Sequence, residues 1–509
     1  MTSGYMRNSV RLGALILLGI SIRLIVLPFS MPNEEDAIYR AFGGQMMLLK
    51  PRIITNGVWC PLYDYLIACA MWFWTDPVFA PIAVNIIFAV VTAIPLYIFV
   101  KNEWDEFSGL FVAGAYLFYP VAIRYSLMAV AEIPFCFYVF VALACVSMAR
   151  RDSGNWKHVV IGGIALTLSG ALRYEGWILI PLLAIPLYKK PRLLIVFILT
   201  SLLFPVYWMS GNYIHNGDVL YGVHFAAHYQ IVVQGYNANI IGGEIIWRAI
   251  YYPLALLFGI TPAIATLCII GIIKCIMRRK KQCIWLIPFI CLLIIYIKKA
   301  IDGSLLLKAR YSILLALFLL PFAAEVIGNI KRTKYRIMAS IILIASMLPL
   351  SYIRGIGYNN TYVMSKYIPR ALTYVPVGIE AIPKLNKSAS IIADYLATTS
   401  GIRDGGLILD VWCSRETCYV ALMTRMRWDK IFIMPLEPSE SLNVKRLSSF
   451  IDANNAGTIL LTNCPRFMQI KGTPDCRMLQ FEGCPKILRL TEIKEIEGVH
   501  IYRYQRIYT

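Results

Sequence analysis

Long apolar runs recur along this chain, and each is close to the length that crosses a bilayer. A helix needs about 20 consecutive apolar residues to span the hydrocarbon core. Segments of that kind are predicted at 10–29, 79–100, 107–122, 127–149, 158–172, 175–188, 193–211, 251–276, 283–298, 305–328 and 335–353, about eleven in all. The fifth and sixth are short and share the hinge Arg173-Tyr174-Glu175-Gly176. Hydrophobic residues make up 58% of the 509 positions, more than an ordinary soluble domain carries. The chain reads as a polytopic α-helical membrane protein. Its first run follows Arg7 and Arg11 as a signal peptide would, but no small-residue cleavage site follows, so it reads as a retained span.

The net charge of +20 would otherwise raise nucleic acid as a partner. The cations instead gather in short loops: Lys101, then Arg150/Arg151/Lys157, Lys189/Lys190/Arg192, Arg278–Lys281 and Lys331–Arg336. Such loops face the cytoplasm, so no nucleic acid is expected. The N-terminus is then cytoplasmic in a cell (plasma) membrane. The stretches 30–78, 212–250 and 299–304, with everything after about 351, face outside. Residues 34–50 suggest an amphipathic helix on the outer surface, and 62–75 a short interfacial or re-entrant one.

Past about residue 375 the pattern changes. Short β-type segments (Leu407–Trp412, Lys430–Pro435, Gly457–Thr462) alternate with helical stretches at 386–399 and 443–455, and two strand-like segments close the chain. This predicts a C-terminal extracytoplasmic α/β domain over 354–509, after a membrane domain over 1–353 that includes the first outer loop, 30–78. Five of the thirteen cysteines (413, 418, 464, 476, 484) lie in the outer part. An exterior position permits disulfides, whose pairing the spacing leaves open. Cys413-x4-Cys418 lacks a second Cys/His pair, so a disulfide is expected there over a metal. Asn359 and Asn386 begin glycosylation-type triplets.

Three consecutive acids, Glu34, Glu35 and Asp36, follow the first span. Carboxylates at a membrane edge are costly and mark candidate sites, although an acidic helix start accounts for one or two of them. By this topology other charges share their level: Arg124 and Glu132, Arg173 and Glu175, and Lys298, Lys299, Asp302, Lys308 and Arg310. The last group runs against the positive-inside tendency, and a lipid phosphate is the simplest compensating anion. Snorkelling is the competing explanation for Lys298 and Lys299, and structural ion pairing for Arg173/Glu175 and for Glu132. Acids beside phosphate-binding cations suit transfer from a lipid-phosphate donor. The leaving phosphate needs charge stabilisation, the acceptor needs a general base, and inversion needs one base and no nucleophile. His224-x3-His228 places two imidazoles on one helical face, a spacing that also suits a metal.

These residues fall into motifs. Glu35-Asp36-Ala37-Ile38-Tyr39 resembles the D-E-x-x-Y motif in the first outer loop of GT-C glycosyltransferases, in particular the protein O-mannosyltransferase and lipid A aminoarabinose transferase group. Trp59-x-Pro61-Leu62-Tyr63-x-Tyr65-Leu66 is similar to their following P-P-L-Y-Y-x-L segment. Glu132-Ile133-Pro134-Phe135 resembles their E-x-P-F, Leu172–Trp177 their L-R-x-E-G-W turn, and Arg310-Tyr311 the start of their R-Y-L-L-P-x-x-P segment. The matches span about 10–325 in family order. The resemblance implies an inverting transferase that uses a polyprenyl- or dolichyl-phosphate sugar on a protein, lipid or glycan acceptor. It implies Glu35 or Asp36 as base, with Glu132 or Glu34 as second carboxylate near the acceptor. Arg310, Arg173, Lys308, Lys298 and Arg124 would hold the lipid phosphate, supported by Tyr39, Tyr63, Glu175 and Tyr311. Members that use lipid-monophosphate sugars need no metal, so no cofactor is expected. The order of the first-loop acids is reversed here, which leaves open which of Glu34, Glu35 and Asp36 is the base. The rival readings are a lipid-linked sugar flippase, which needs repeats or broken helices about a midplane site, and a non-catalytic glycan-binding protein with a degenerate first loop.

Overall fold

The computed structural model describes residues 2–29, 35–151, 156–233, 242–348, 383–398, 405–409, 420–433, 444–454, 459–462, 478–480, 487–496 and 499–507. Contacts divide the chain into two units. One comprises Met1–Ser30, Ile53–Tyr63 and Val84–Ala381, and the other Met31–Arg52, Asp64–Ala83 and Ile382–Thr509.

The first unit is helical. It holds α1 (Thr2–Val26), most of α4 (Phe79–Val91), α5 (Ala93–Glu103), α6 (Glu106–Leu117), α7 (Pro120–Ser126), α8 (Glu132–Arg151) and α9 (Trp156–Gly170). Then follow α10 (Glu175–Ala184), α11 (Pro191–Ser201), α12 (Leu203–Asn216), α13 (Tyr221–His228), α14 (Gly242–Gly259), α15 (Pro262–Met277), α16 (Leu286–Ile301), α17 (Ser312–Gly328) and α18 (Thr333–Ala345). Among the described residues five helices are long and apolar enough to cross a membrane, and seven if each of two bent pairs counts as one span. The expected eleven also include shorter helices such as α9 and α10. The unit is that of a multi-pass membrane protein.

The segment 251–276, read from sequence as one span, is two helices. Arg248–Gly259 and Pro262–Met277 meet at 106°. Pro262 disfavours a helical conformation at the residue before it, and Thr261 takes φ +72° while its hydroxyl accepts from the Ile264 amide. A second break, of 55°, separates α6 from α7 at Pro120.

α17 lies at the centre. Every side chain from Ser312 to Glu325 is buried, as expected of a helix apolar on all sides. α15 packs closely on it: a methyl group at Gly271 would collide with the Phe322 carbonyl. By contrast Ile195, Leu199, Leu203 and Val206 on α11 and α12 are exposed, the surface a lipid phase covers.

Opposite ends of α8 and α17 are tied differently. At one end Glu103 pairs with Arg150 (3.3 Å) and accepts from Ser147 (2.5 Å), Lys190 donates to the Ala149 and Arg150 carbonyls, and Lys280 pairs with Glu325 (2.5 Å). These are the basic-loop residues. The other end carries Glu132 and Arg310, about 30 Å away along a helix of 20 residues.

The second unit contains α2 (Glu35–Leu49) and α3 from Asp64 onward (Leu62–Phe73 in full), together with a six-stranded sheet in the order β2-β1-β3-β6-β5-β4. β1 (Leu407–Leu409) pairs in parallel with β2 (Ile431–Ile433) and with β3 (Ile459–Thr462), matching Leu407 to Ile431 and Ile459. β6 (Val499–Ile507) runs antiparallel to β3 and to β5 (Ile487–Ile496), and β5 to β4 (Met478–Gln480). Helices α19 (Pro383–Thr398) and α20 (Val444–Ala453) accompany the sheet. α2 and α3 approach closely because Gly44 has no side chain; a Cβ there would overlap Ile67. Gln45 on α2 donates to the Met426 carbonyl (3.4 Å), and Arg425 pairs with Asp76 (2.9 Å).

Candidate functional site

In the first unit, the starts of α8, α10 and α17 bring together four charges that are far apart in sequence. Arg173 donates from Nη1 to Glu132 Oε1 (2.5 Å) and grips Glu175 with two bonds, Nη2 to Oε1 (2.7 Å) and Nε to Oε2 (3.1 Å). Arg310 Nε lies 3.0 Å from the same Glu132 oxygen. Two guanidiniums therefore share two carboxylates, in a place where Glu132 is 5% and Arg310 4% exposed. Charge-assisted, bidentate pairs of this kind fix geometry as well as energy.

Tyr311 completes the group. Both guanidiniums lie over its ring, Arg173 at 5.0 Å and Arg310 at 5.3 Å, and Arg310 Nη2 donates to its hydroxyl (3.4 Å). Tyr296 on α16 donates to Glu175 Oε1 at 3.5 Å, and its ring contacts Tyr311 and Tyr252.

The Arg173 turn depends on its glycine. The Gly176 amide donates to the Arg173 carbonyl (3.0 Å), and a Cβ at Gly176 would sit 2.6 Å from the Gly170 nitrogen and 2.7 Å from Ser169 Oγ. Only glycine lets the chain double back tightly enough to aim Arg173 and Glu175 at one point.

The segment 53–63 supports two sides of the cluster. Tyr63 donates its hydroxyl to Asn85 Oδ1 (2.9 Å), and the buried Asn85 amide donates to the Met128 and Val130 carbonyls just before Glu132. The Leu62 amide donates to the Ala171 carbonyl (3.1 Å), just before Arg173. Tyr63 thus acts on the site through the backbone leading into α8.

The remaining expected residues are distributed as follows. Arg124 is buried on α7 over the ring of Tyr125 (5.5 Å). Lys308 is half-buried two residues before Arg310. On α16 Lys298 is exposed, whereas Lys299 is half-buried and within electrostatic reach of Glu175. Tyr296 and Lys299 stand three apart on one helical face, a phase signal present in the sequence. Asn85 gave no signal, because a lone polar residue in a span has many possible partners.

In the second unit, Asp36 and Tyr39 are half-buried in the first turns of α2. Of Glu35 only the backbone, at the start of α2, is described, and Glu34 lies outside the described residues. Arg40, one helical turn after Asp36, pairs with Asp64 of α3 at 3.0 Å. Burial alone would raise the Asp76 carboxyl, but the Phe79 and Val78 amides and the Arg425 guanidinium together hold it below the usual range.

His224 Nδ1 lies 2.7 Å from Asp218 Oδ2. Among the described residues no group of three His, Cys, Asp or Glu side chains is placed to hold a metal. Cys413, Cys418, Cys464, Cys476, Cys484 and Asn359 lie outside the described residues, as do the side chains around Asn386.

No family model and no curated protein matches the sequence. The fold does have solved counterparts. ArnT from Cupriavidus metallidurans bound to undecaprenyl phosphate aligns with a TM-score of 0.63 at 11% identity, over 99% of this chain and 98% of that one. Its apo form gives 0.62 at 11%, over 96% and 98%. The apo oligosaccharyltransferase of Archaeoglobus fulgidus gives 0.50 at 12%, over 89% of this chain and 69% of that one. The carboxylate–guanidinium cluster thus stands on a fold that this chain shares with ArnT along nearly its whole length.

Proposed function

We propose that this chain is an inverting, lipid-linked sugar transferase of the GT-C type, working at the outer face of the membrane. The observation that carries the reading is the end-to-end fold likeness to ArnT, whose structure holds undecaprenyl phosphate. The donor is a polyprenyl- or dolichyl-phosphate sugar. Its acceptor belongs to the class of proteins, lipids or glycans reachable from outside.

In this mechanism Glu35 or Asp36 removes the proton of the acceptor hydroxyl as its oxygen attacks the anomeric carbon. The bond to the phosphate oxygen breaks, and the lipid phosphate leaves as an anion. Arg310 and Arg173, oriented by Glu132, Glu175 and Tyr311, supply fixed N–H donors for that anion, aided by the charges of Lys308, Arg124 and Lys298. Fixed donors are worth more than mobile ones because they need no reorganisation during reaction. The guanidiniums take the electrostatic role that a metal has elsewhere, so no metal is invoked.

The test is incubation of purified protein with a panel of lipid-phosphate sugars, measuring released lipid phosphate and glycosylated acceptor. Glu35→Gln with Asp36→Asn is expected to abolish transfer while retaining donor binding. Full activity in that variant would refute the base assignment. Donor movement across vesicles without any transfer would favour a flippase instead.

A further inference from the structure

We propose that Cys275 and Cys283 form a dithiol site that closes to a disulfide by exchange with an anionic low-molecular-weight disulfide. The two sulfurs stand 3.0 Å apart. A disulfide bond is about 2.0 Å long, so closure needs a movement of only about 1 Å.

The backbone holds the pair in place. α15 ends at Met277, and the chain reverses through Arg279 in the left-handed region (φ +47°). The Lys280 amide then donates back to the Cys275 carbonyl and the Arg278 amide to the Lys274 carbonyl, each at 3.0 Å. This six-to-one closure is the form that commonly ends a helix. Lys280 is tied to Glu325 of α17 at 2.5 Å, and the next turn begins with the Cys283 amide on the Lys280 carbonyl (3.1 Å). Both ends of the eight-residue separation are thus anchored before any bond forms.

The surroundings set the order of reaction. Cys275 is fully buried, in a cluster with Leu286 and Phe322, with Trp104 and Ile272 packed against it. Cys283 is half-buried, on a turn that also presents the exposed Arg278, Arg279 and Lys281. That cationic rim attracts an anionic co-reactant such as oxidised glutathione. The Cys283 thiolate attacks one sulfur of the donor, breaking its S–S bond and releasing one thiolate. The Cys275 thiolate then attacks Cys283 Sγ and releases the second. The protons lost by the two cysteines pass to the two leaving thiolates, and the balance is two protein thiols oxidised for one donor disulfide reduced to two thiols. By the positive-inside rule the same basic residues place this turn in the cytoplasm. There the thiols rest reduced and the site responds when the disulfide pool rises.

The test uses the purified full chain in detergent. It is treated with oxidised glutathione, blocked with maleimide, digested without reductant and mapped by mass spectrometry. The expected product joins the peptides of Cys275 and Cys283, two hydrogens lighter than their reduced sum, and is reversed by dithiothreitol. In Cys275→Ser a glutathione adduct is expected to persist on Cys283. Wild-type protein with both thiols still alkylated, with an unresolved adduct on Cys283, or with either cysteine joined to a different one would overturn the proposal, whether or not the variant folds.

Discussion

Replacing Glu132 by glutamine tests the central cluster most directly. The substitution preserves shape but removes the charge that two arginines share. Glu132 Oε1 receives Arg173 at 2.5 Å and faces Arg310 Nε at 3.0 Å, with all three side chains at most 16% exposed. With Glu132 and Glu175 present, the two guanidiniums are balanced two against two. Without Glu132, one positive charge is left unpaired away from water. Removing one partner of a buried pair costs about 3–5 kcal/mol. Arg173 keeps its two bonds to Glu175, so the loss falls at the lower end, about 3 kcal/mol. The measurement is the free energy of unfolding in mixed micelles for Glu132→Gln, Arg310→Gln and the double variant. Arg310→Gln removes the orphaned charge, so the double variant is expected to recover about 1.5–3 kcal/mol relative to the sum of the singles. A Glu132→Gln protein within about 0.5 kcal/mol of wild type, or two strictly additive losses, would refute the shared-charge account.

Other perturbations probe the supports. Arg173→Lys keeps the charge but loses the fork that grips Glu175 while reaching Glu132, and a transfer rate reduced at least about tenfold is expected; unchanged kinetics would count against preorganisation. Gly176→Ala forces a Cβ against the Gly170 nitrogen, so a lower melting temperature together with lost transfer is expected from light-scattering and turnover assays. Tyr63→Phe removes the bond to Asn85 and is expected to cost about 1 kcal/mol, read as a drop in the unfolding midpoint. In the second unit the Asp76 carboxyl is held below its ordinary value. Its contribution to stability is therefore present above the unfolded value of about 4 and is lost as pH falls through the lower, folded one. Proteolysis of the second unit on acidification should accelerate in that window for wild type. Asp76→Asn should show a flatter profile there, and identical profiles would exclude this residue.

The helical breaks show where a sequence reading loses resolution. Pro120 and Pro262 are visible signals, yet proline is tolerated inside apolar spans, and uninterrupted hydropathy on both sides of Pro262 favours one span. The 106° bend follows from the left-handed turn at Thr261, a conformation that composition does not report. Lys298 and Lys299 raise a related difficulty. Both are basic, adjacent and at one span end, and only helix phase turns Lys299 toward Glu175 and Lys298 outward.

The sequence by itself determined the class of the molecule. Hydropathy is a local sum over some 20 residues, so the apolar runs and the alternation of basic loops are legible without any contact map. The topology read from those loops likewise marked Glu132, Arg173, Glu175 and Arg310 as charges at one level. Which of them pair was decided only by the tertiary structure. Glu132 and Arg310 are 178 positions apart (310 minus 132), and their meeting depends on α8 and α17 packing side by side. The sharing of one carboxylate between two arginines and the bracing of the backbone before Glu132 by Tyr63 and Asn85 both arise the same way. Each is a distance between side chains on different elements, set by how helices pack and turns reverse, and no local window of sequence contains it.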